Sequence, residues 1–187
     1  YIYGELVTDR ASLQKGVAIW LSGSIISTLS VTTFLKNLVV YVKQIISESS
    51  AELPQESIAE FQTLIIEIED SFEFIDNTST LITSQLFGFI NVFVSVLIIY
   101  LVLKYFFKRE PNLIFIAVIY GFSSIPILLN APILFFNSIP LQGIILLSTS
   151  IFSLVCLGSG LKQVYMLRNI EAILLILFSG FSTLITL

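Results

Sequence analysis

The stretch that decides the fold is YGFSSIPILLNAPILFF, Tyr120–Phe136. It sets Pro126, Asn130 and Pro132 inside a run that is otherwise almost wholly apolar. An interior proline costs a helix about 3 kcal/mol or more, because it removes a donor and clashes with the preceding turn. Pro126 would leave the carbonyl of Phe122 without its helical donor, and Pro132 would do the same to Leu128. In lipid such groups must be satisfied by neighbouring helices, hydroxyls or water. The run therefore reads as a kinked membrane helix at the centre of a bundle, its opened turn facing protein. Ser123, Ser124 and Asn130 are the local groups expected to answer the freed carbonyls.

Composition agrees with a lipid solvent. Hydrophobic residues make up 56% of the 187 and charged residues 12%, against about 25% charged in ordinary globular domains. Mean hydropathy is +0.96. A soluble fold of this size has no interior large enough for so much apolar surface. The chain is expected to be a single all-α domain over residues 1–187, a polytopic integral membrane protein. Net charge is -4 with no basic patch, so nucleic acid is not an expected partner. There is no His and only one Cys, Cys156. That excludes an intrachain disulfide and a His/Cys metal site.

About 20 apolar residues are needed to cross a ~30 Å hydrocarbon core. Five segments meet this reading, at about 17–35, 86–103, 113–134, 140–161 and 170–187. The first is long and no small-residue cleavage site follows it, so it is not read as a signal peptide. Five spans put the N-terminal segment, the 104–112 connection and the 162–169 connection on one side. Those three segments carry Arg10, Lys15, Lys104, Lys108, Arg109, Lys162 and Arg168, while Lys36 and Lys43 alone lie on the other. The positive-inside rule then sets the N-terminus in the cytoplasm and the C-terminus outside. The short FFNSI connection makes spans three and four an antiparallel hairpin, with Pro140 in the first turn of span four.

Residues 41–84 are the one sizeable region outside the membrane. From Glu48 to Asp76 there are nine acidic residues and no basic one. ESSAELPQES, from Glu48, reads as a break, with Pro54 opening a new helix. Ile58, Phe61, Ile65, Ile68, Phe72 and Ile75 then recur at spacings of three and four, one face of an amphipathic extracytoplasmic helix. Glu60, Glu67, Asp70 and Glu73 lie mostly opposite. Solvated acids on a helix packed against the bundle is the simplest meaning of such a stripe. A docking surface for another membrane subunit, through Glu67, Asp70 and Glu73, is the sharper one. Cation binding by EIEDSFE is disfavoured, since it lacks the sharp glycine turn of calcium loops.

No ionisable residue lies in the central part of any span, and intramembrane charge is the usual mark of a proton or ion path. No Ser has a His or intramembrane Lys placed as a base. Catalysis, cofactors and metals are therefore not expected. The glycines and hydroxyls read as packing residues, with Gly23 and Ser27 a small-xxx-small pair in span one. A transporter of the inverted-repeat kind would show broken helices in two matching halves. Here one helix is clearly broken and no repeat is evident.

YGFSSIP, Tyr120–Pro126, also resembles the Tyr-Gly-Tyr-Ser-x-x-Pro signature of the Yip (Ypt-interacting protein) membrane family, with Phe122 at the second Tyr. The basic KYFFKRE connection and GSGLKQVYMLRNIEAILLI are similar to the family in the same order, and the likeness runs from about Glu5 to Leu187. The Asp-Leu-x-Gly-Pro motif of eukaryotic members is absent, which points to the prokaryotic branch and a cell membrane. The resemblance implies a five-span bundle with a cytoplasmic N-terminus. It makes Tyr120, Gly121, Ser123 and Pro126 the structural signature. Eukaryotic relatives are associated with Rab GTPases and vesicle traffic. The function expected is a non-enzymatic membrane scaffold or accessory subunit, with a membrane-protein partner or a second copy of the chain. The alternative is a small transporter or channel component with a site near Pro126 and Asn130.

Overall fold

A computed structural model describes residues 10–49, 59–61, 63–67, 69 and 78–185, and all their regular structure is helical. The order is α1 (Arg10–Ser49), α2 (Thr78–Leu101) running into a π-helical turn (Val102–Phe106), α3 (Leu113–Ser123), a 3-10 segment (Ile125–Phe135), α4 (Ile139–Tyr165) and α5 (Asn169–Ile185). Four of these stretches are long and apolar enough to cross a membrane: Ser12–Glu48, Gln85–Phe106, Leu113–Phe135 and Ile139–Tyr165. That fits an integral membrane protein. The fifth expected span is not among these four stretches of the described residues. α5 has 17 residues, about 25 Å at 1.5 Å per residue, against a core of ~30 Å.

Contacts fix the relative directions of the helices. Gly16, Gly23 and Ser30 of α1 meet Val118, Ser124 and Asn130 in turn, so α1 runs parallel to the third span. Thr149 and Ser153 of α4 meet Asn130 and Ser123, so α4 runs antiparallel to it. α2 runs against α1, with Gln85 beside Thr28 and Phe89 beside Trp20. The start of α1, the 107–112 connection and the 166–168 connection therefore share one end of the bundle. Arg109 Nη2 donates to the carbonyl of Met166 at 3.4 Å, which ties two of these basic segments together. The Tyr165 hydroxyl lies 3.3 Å from both the backbone N and O of Asn112.

Helix ends at this face follow local chemistry. Asn112 caps α3, its side chain accepting from Ile114 N–H at 2.9 Å. Glu171 reaches back to accept the N–H of Arg168 at 2.8 Å, half of a capping box for α5. Met166 closes α4 in the left-handed conformation, φ 51°. An apolar core lies at the same end. Ile99, Leu103, Ile116, Ile119, Leu161 and Leu175 are fully buried there, drawn from four helices.

The region between the first two spans differs from the sequence expectation. α1 does not end near Leu35 but continues to Ser49, 40 residues in all. At about 60 Å it is roughly twice the thickness of a hydrocarbon core. Lys36 ends the apolar run without breaking the helix, and no proline occurs before Pro54. α2 likewise begins at Thr78, before its apolar run. Residues 41–49 and 78–84 are therefore helical extensions of the spans rather than separate structure. The rest of the expected break, with Pro54, lies outside the described residues.

Candidate functional site

The expected kink is a change of helix type. α3 ends at Ser123 and the chain continues as an 11-residue 3-10 helix from Ile125, where 3-10 runs longer than 3–4 residues are uncommon. The switch is visible in the donors. Ser124 N–H turns to Gly121 O at 3.2 Å, and Ile127 N–H to Ser124 O at 3.0 Å. In this tighter register Pro126 deprives Ser123 O, not Phe122 O, and Pro132 deprives Leu129 O, not Leu128 O. The local hydroxyls also act differently from the expectation. Ser123 Oγ and Ser124 Oγ both lie within reach of Tyr120 O, at 2.7 and 3.3 Å, the carbonyl that Ser124 N–H has left.

Other acceptors of the break are answered by other helices, although Gln142 Oε1 beside it is buried without a partner among the described residues. Ser153 Oγ of α4 donates to Ser123 O at 2.7 Å. Ser30 Oγ of α1 donates to Asn130 O at 3.0 Å. Asn130 is 2% exposed, and its Oδ1 accepts from Thr149 Oγ1 at 2.6 Å. Gln142, fully buried, donates from Nε2 to Ile133 O at 3.1 Å and to Phe136 O, fastening the end of the 3-10 segment. Ser30, Gln142, Thr149 and Ser153 are the residues that sequence reasoning missed. Their signal was spacing. Gly16, Gly23 and Ser30 recur every seven residues, as do Gln142 and Thr149, with Ser153 one turn further. Gly23 of the expected Gly23/Ser27 pair meets the third span at Ser124 and Ile127, and Ser30 meets it at Asn130.

The signature residues sit at three contacts of α3 and its break. The Tyr120 hydroxyl is hydrogen-bonded to Ser95 of α2, and Ser95 Oγ lies 3.5 Å from Asn91 Oδ1. Gly121 lies against Gly16. A Cβ added at Gly121 would fall 2.6 Å from the carbonyl carbon and 2.7 Å from the Cα of Gly16, and closer still to its oxygen. Pro126 is buried at the start of the 3-10 segment.

The acidic residues belong to a separate place. Residues 59–61 and 63–67 are helical. Ile65 is buried against Val39 of the α1 extension, with Leu35, Val42 and Ile46 around it. Glu69 pairs with Lys43 at 2.6 Å. Phe61, placed by periodicity on the packed face, is 47% exposed, because contact with α1 is made further along at Ile65. Glu67 is exposed. Asp70, Glu73, Ile58, Ile68, Phe72 and Ile75 lie outside the described residues.

Two apolar cavities open on the side of the bundle between α1 and α2, of about 280 and 420 Å³. Trp20, Gly16, Tyr120 and Gly121 line the smaller, Leu21, Ile82 and Gln85 the larger, and Phe89 both. Neither is lined by Pro126 or Asn130.

Compared with family models, curated proteins and solved structures, the chain matches none.

Proposed function

We propose that the chain is a five-span membrane protein of the Yip type, acting as a non-enzymatic scaffold or accessory subunit for a membrane-protein partner or for a second copy of itself. The observation that carries this reading is the set of donors that neighbouring helices give to the broken third span. Ser30, Thr149, Gln142 and Ser153 give their donors to Asn130 and to backbone carbonyls of the break. Transport sites at broken helices keep such groups turned toward a substrate or coupling ion. The two side cavities, in contrast, are walled mainly by apolar side chains and are lined by neither Pro126 nor Asn130.

In this proposal α5 completes a fifth crossing. The shared basic end faces the cytoplasm of a prokaryotic cell, since seven of nine Lys and Arg belong to the three segments gathered there. The α1 extension and the acidic helix leaning on it then stand outside. Topology is tested with single cysteines replacing Lys108, Asn169 and Glu60. The first two should label only from the cytoplasmic side and the third only from outside. Labelling of Lys108 and Glu60 positions from one side would remove the five-span arrangement. The functional reading is tested in liposomes and by purification in mild detergent. A stoichiometric membrane partner or self-assembly, without solute flux, is expected. Flux that Asn130→Leu abolishes would transfer the chain to the transporters.

A further inference from the structure

The cleft between α1 and α2 combines three features. It is apolar and opens sideways, with Leu21, Ile25 and Leu86 exposed at 39%, 49% and 62%. Trp20 and Phe89 meet edge to face across it, ring centroids 5.7 Å apart, and join the two helices. Gln85 stands at the end remote from the basic connections, where the apolar run of α2 begins. Its Oε1 is buried with no hydrogen-bond partner among the described residues. Its Nε2 reaches Thr28 Oγ1 only at 3.4 Å, and Thr28 spends its own hydrogen on Ser24 O at 3.0 Å. Turning the amide over would satisfy one end and orphan the other.

We propose that this cleft is a lipid site. It takes one acyl tail of a phospholipid whose headgroup carries a hydrogen-bond donor, and that donor answers Gln85. A second transmembrane helix, about 10 Å across, cannot enter between α1 and α2 while Trp20 and Phe89 bridge them. A single hydrocarbon chain can lie along the same surface. The part of the cleft between Gln85 and Trp20 matches one leaflet. From Leu29, level with the Gln85 end, to Trp20 is nine residues, about 13 Å of helix, against ~15 Å for half a hydrocarbon core. Among the described residues no charged side chain lines the cleft, so the headgroup is read by hydrogen bonding rather than by charge.

Trp20 is the sole tryptophan and is 9% exposed, which makes it a reporter inside the site. The full chain is placed in vesicles containing phospholipid brominated near the end of one tail, with either an ethanolamine or a choline headgroup. Ethanolamine has N–H donors and choline has none. Ethanolamine lipid should reach half-maximal quenching of Trp20 at a mole fraction about threefold lower, the factor expected of one average hydrogen bond in a membrane. Gln85→Leu should erase that difference. Val17→Phe, at an exposed lining position, should shield Trp20 from both lipids. Equal quenching by the two headgroups in the unaltered chain would overturn the donor assignment. Quenching unchanged by Val17→Phe would overturn the cleft as the site. Absence of quenching, with crosslinking between cysteines replacing Leu86 in two copies, would show a second copy covering this face instead.

Discussion

Gly121 and Gly16 touch, yet the same substitution at each should have opposite results. A Cβ on Gly121 would sit 2.6 and 2.7 Å from backbone carbon atoms of Gly16. Backbone cannot swing aside, so α1 and α3 would have to part by roughly an ångström. Forced overpacking of this kind costs about 1–3 kcal/mol. A Cβ on Gly16 points elsewhere. It would meet Val118 O at 3.5 Å and its Cα at 3.7 Å, ordinary contact. Gly→Ala within a helix returns about 0.8–1.0 kcal/mol of backbone entropy and solvation in both cases. Gly121→Ala should therefore be neutral to destabilising by about 2 kcal/mol, and Gly16→Ala neutral to stabilising by about 1 kcal/mol. Gly143→Ala serves as a reference, its Cβ 3.8 Å from the ring of Phe34. Thermal unfolding in detergent, followed by Trp20 emission, orders the three variants. At about 2–4 °C per kcal/mol for a chain of this size, the two contact variants should separate by several degrees. If Gly16→Ala is the more damaging, the helix pair is not packed as described.

Two further results are expected. Ser153→Ala should destabilise more than Ser30→Ala, toward ~1.7 rather than ~0.6 kcal/mol. Ser153 serves Ser123 O, whose 3-10 donor would be the nitrogen of Pro126, whereas Ser30 serves Asn130 O, whose 3-10 donor, Ile133, retains its N–H; equal losses in detergent unfolding would contradict the 3-10 register. On the α1 extension, Ile65→Ser should speed protease cleavage around residues 59–69, while Lys43→Gln should change it little, because Ile65 is buried and the Lys43–Glu69 pair is about half exposed; the reverse ranking would mean that charge, not packing, holds the segment.

Much of the architecture was legible because it follows from solvent. Apolar runs of span length and the two prolines of Tyr120–Phe136 identify membrane helices and their one break without any tertiary knowledge. Where α1 ends was not legible from hydropathy, since Lys36 interrupts the apolar run but not the hydrogen bonds of the helix. Val39, Val42 and Ile46 continue a helical face past Lys36, and their partner, Ile65, was read on an apolar face but without a place on α1. The π-helical turn at Val102–Phe106 carries no sequence mark that we recognise.

The site divides along the same line. That the proline-containing span needs outside donors is dictated by chemistry, and it was readable. Which carbonyls are deprived depends on whether the backbone is α or 3-10, and the sequence does not announce that choice. Proline at position 126 removes one donor in either register; the tertiary surroundings decide which acceptor loses it. Here Ser153 is placed to serve Ser123 O, and Gln142 to serve Ile133 O and Phe136 O. Both lie on the face of α4 that also presents Thr149 to Asn130. The 3-10 segment and that polar face are thus matched to each other. An α-helical third span would bring Phe122 O and Leu128 O to the break instead, and the donors of α4 would then stand opposite the wrong carbonyls. The long 3-10 run, unfavourable by itself, is held because its acceptors coincide with donors already fixed on a regular helix. The proposed function as a rigid element of an assembly asks for such a lock, and motion at the break would require several of these bonds to open together.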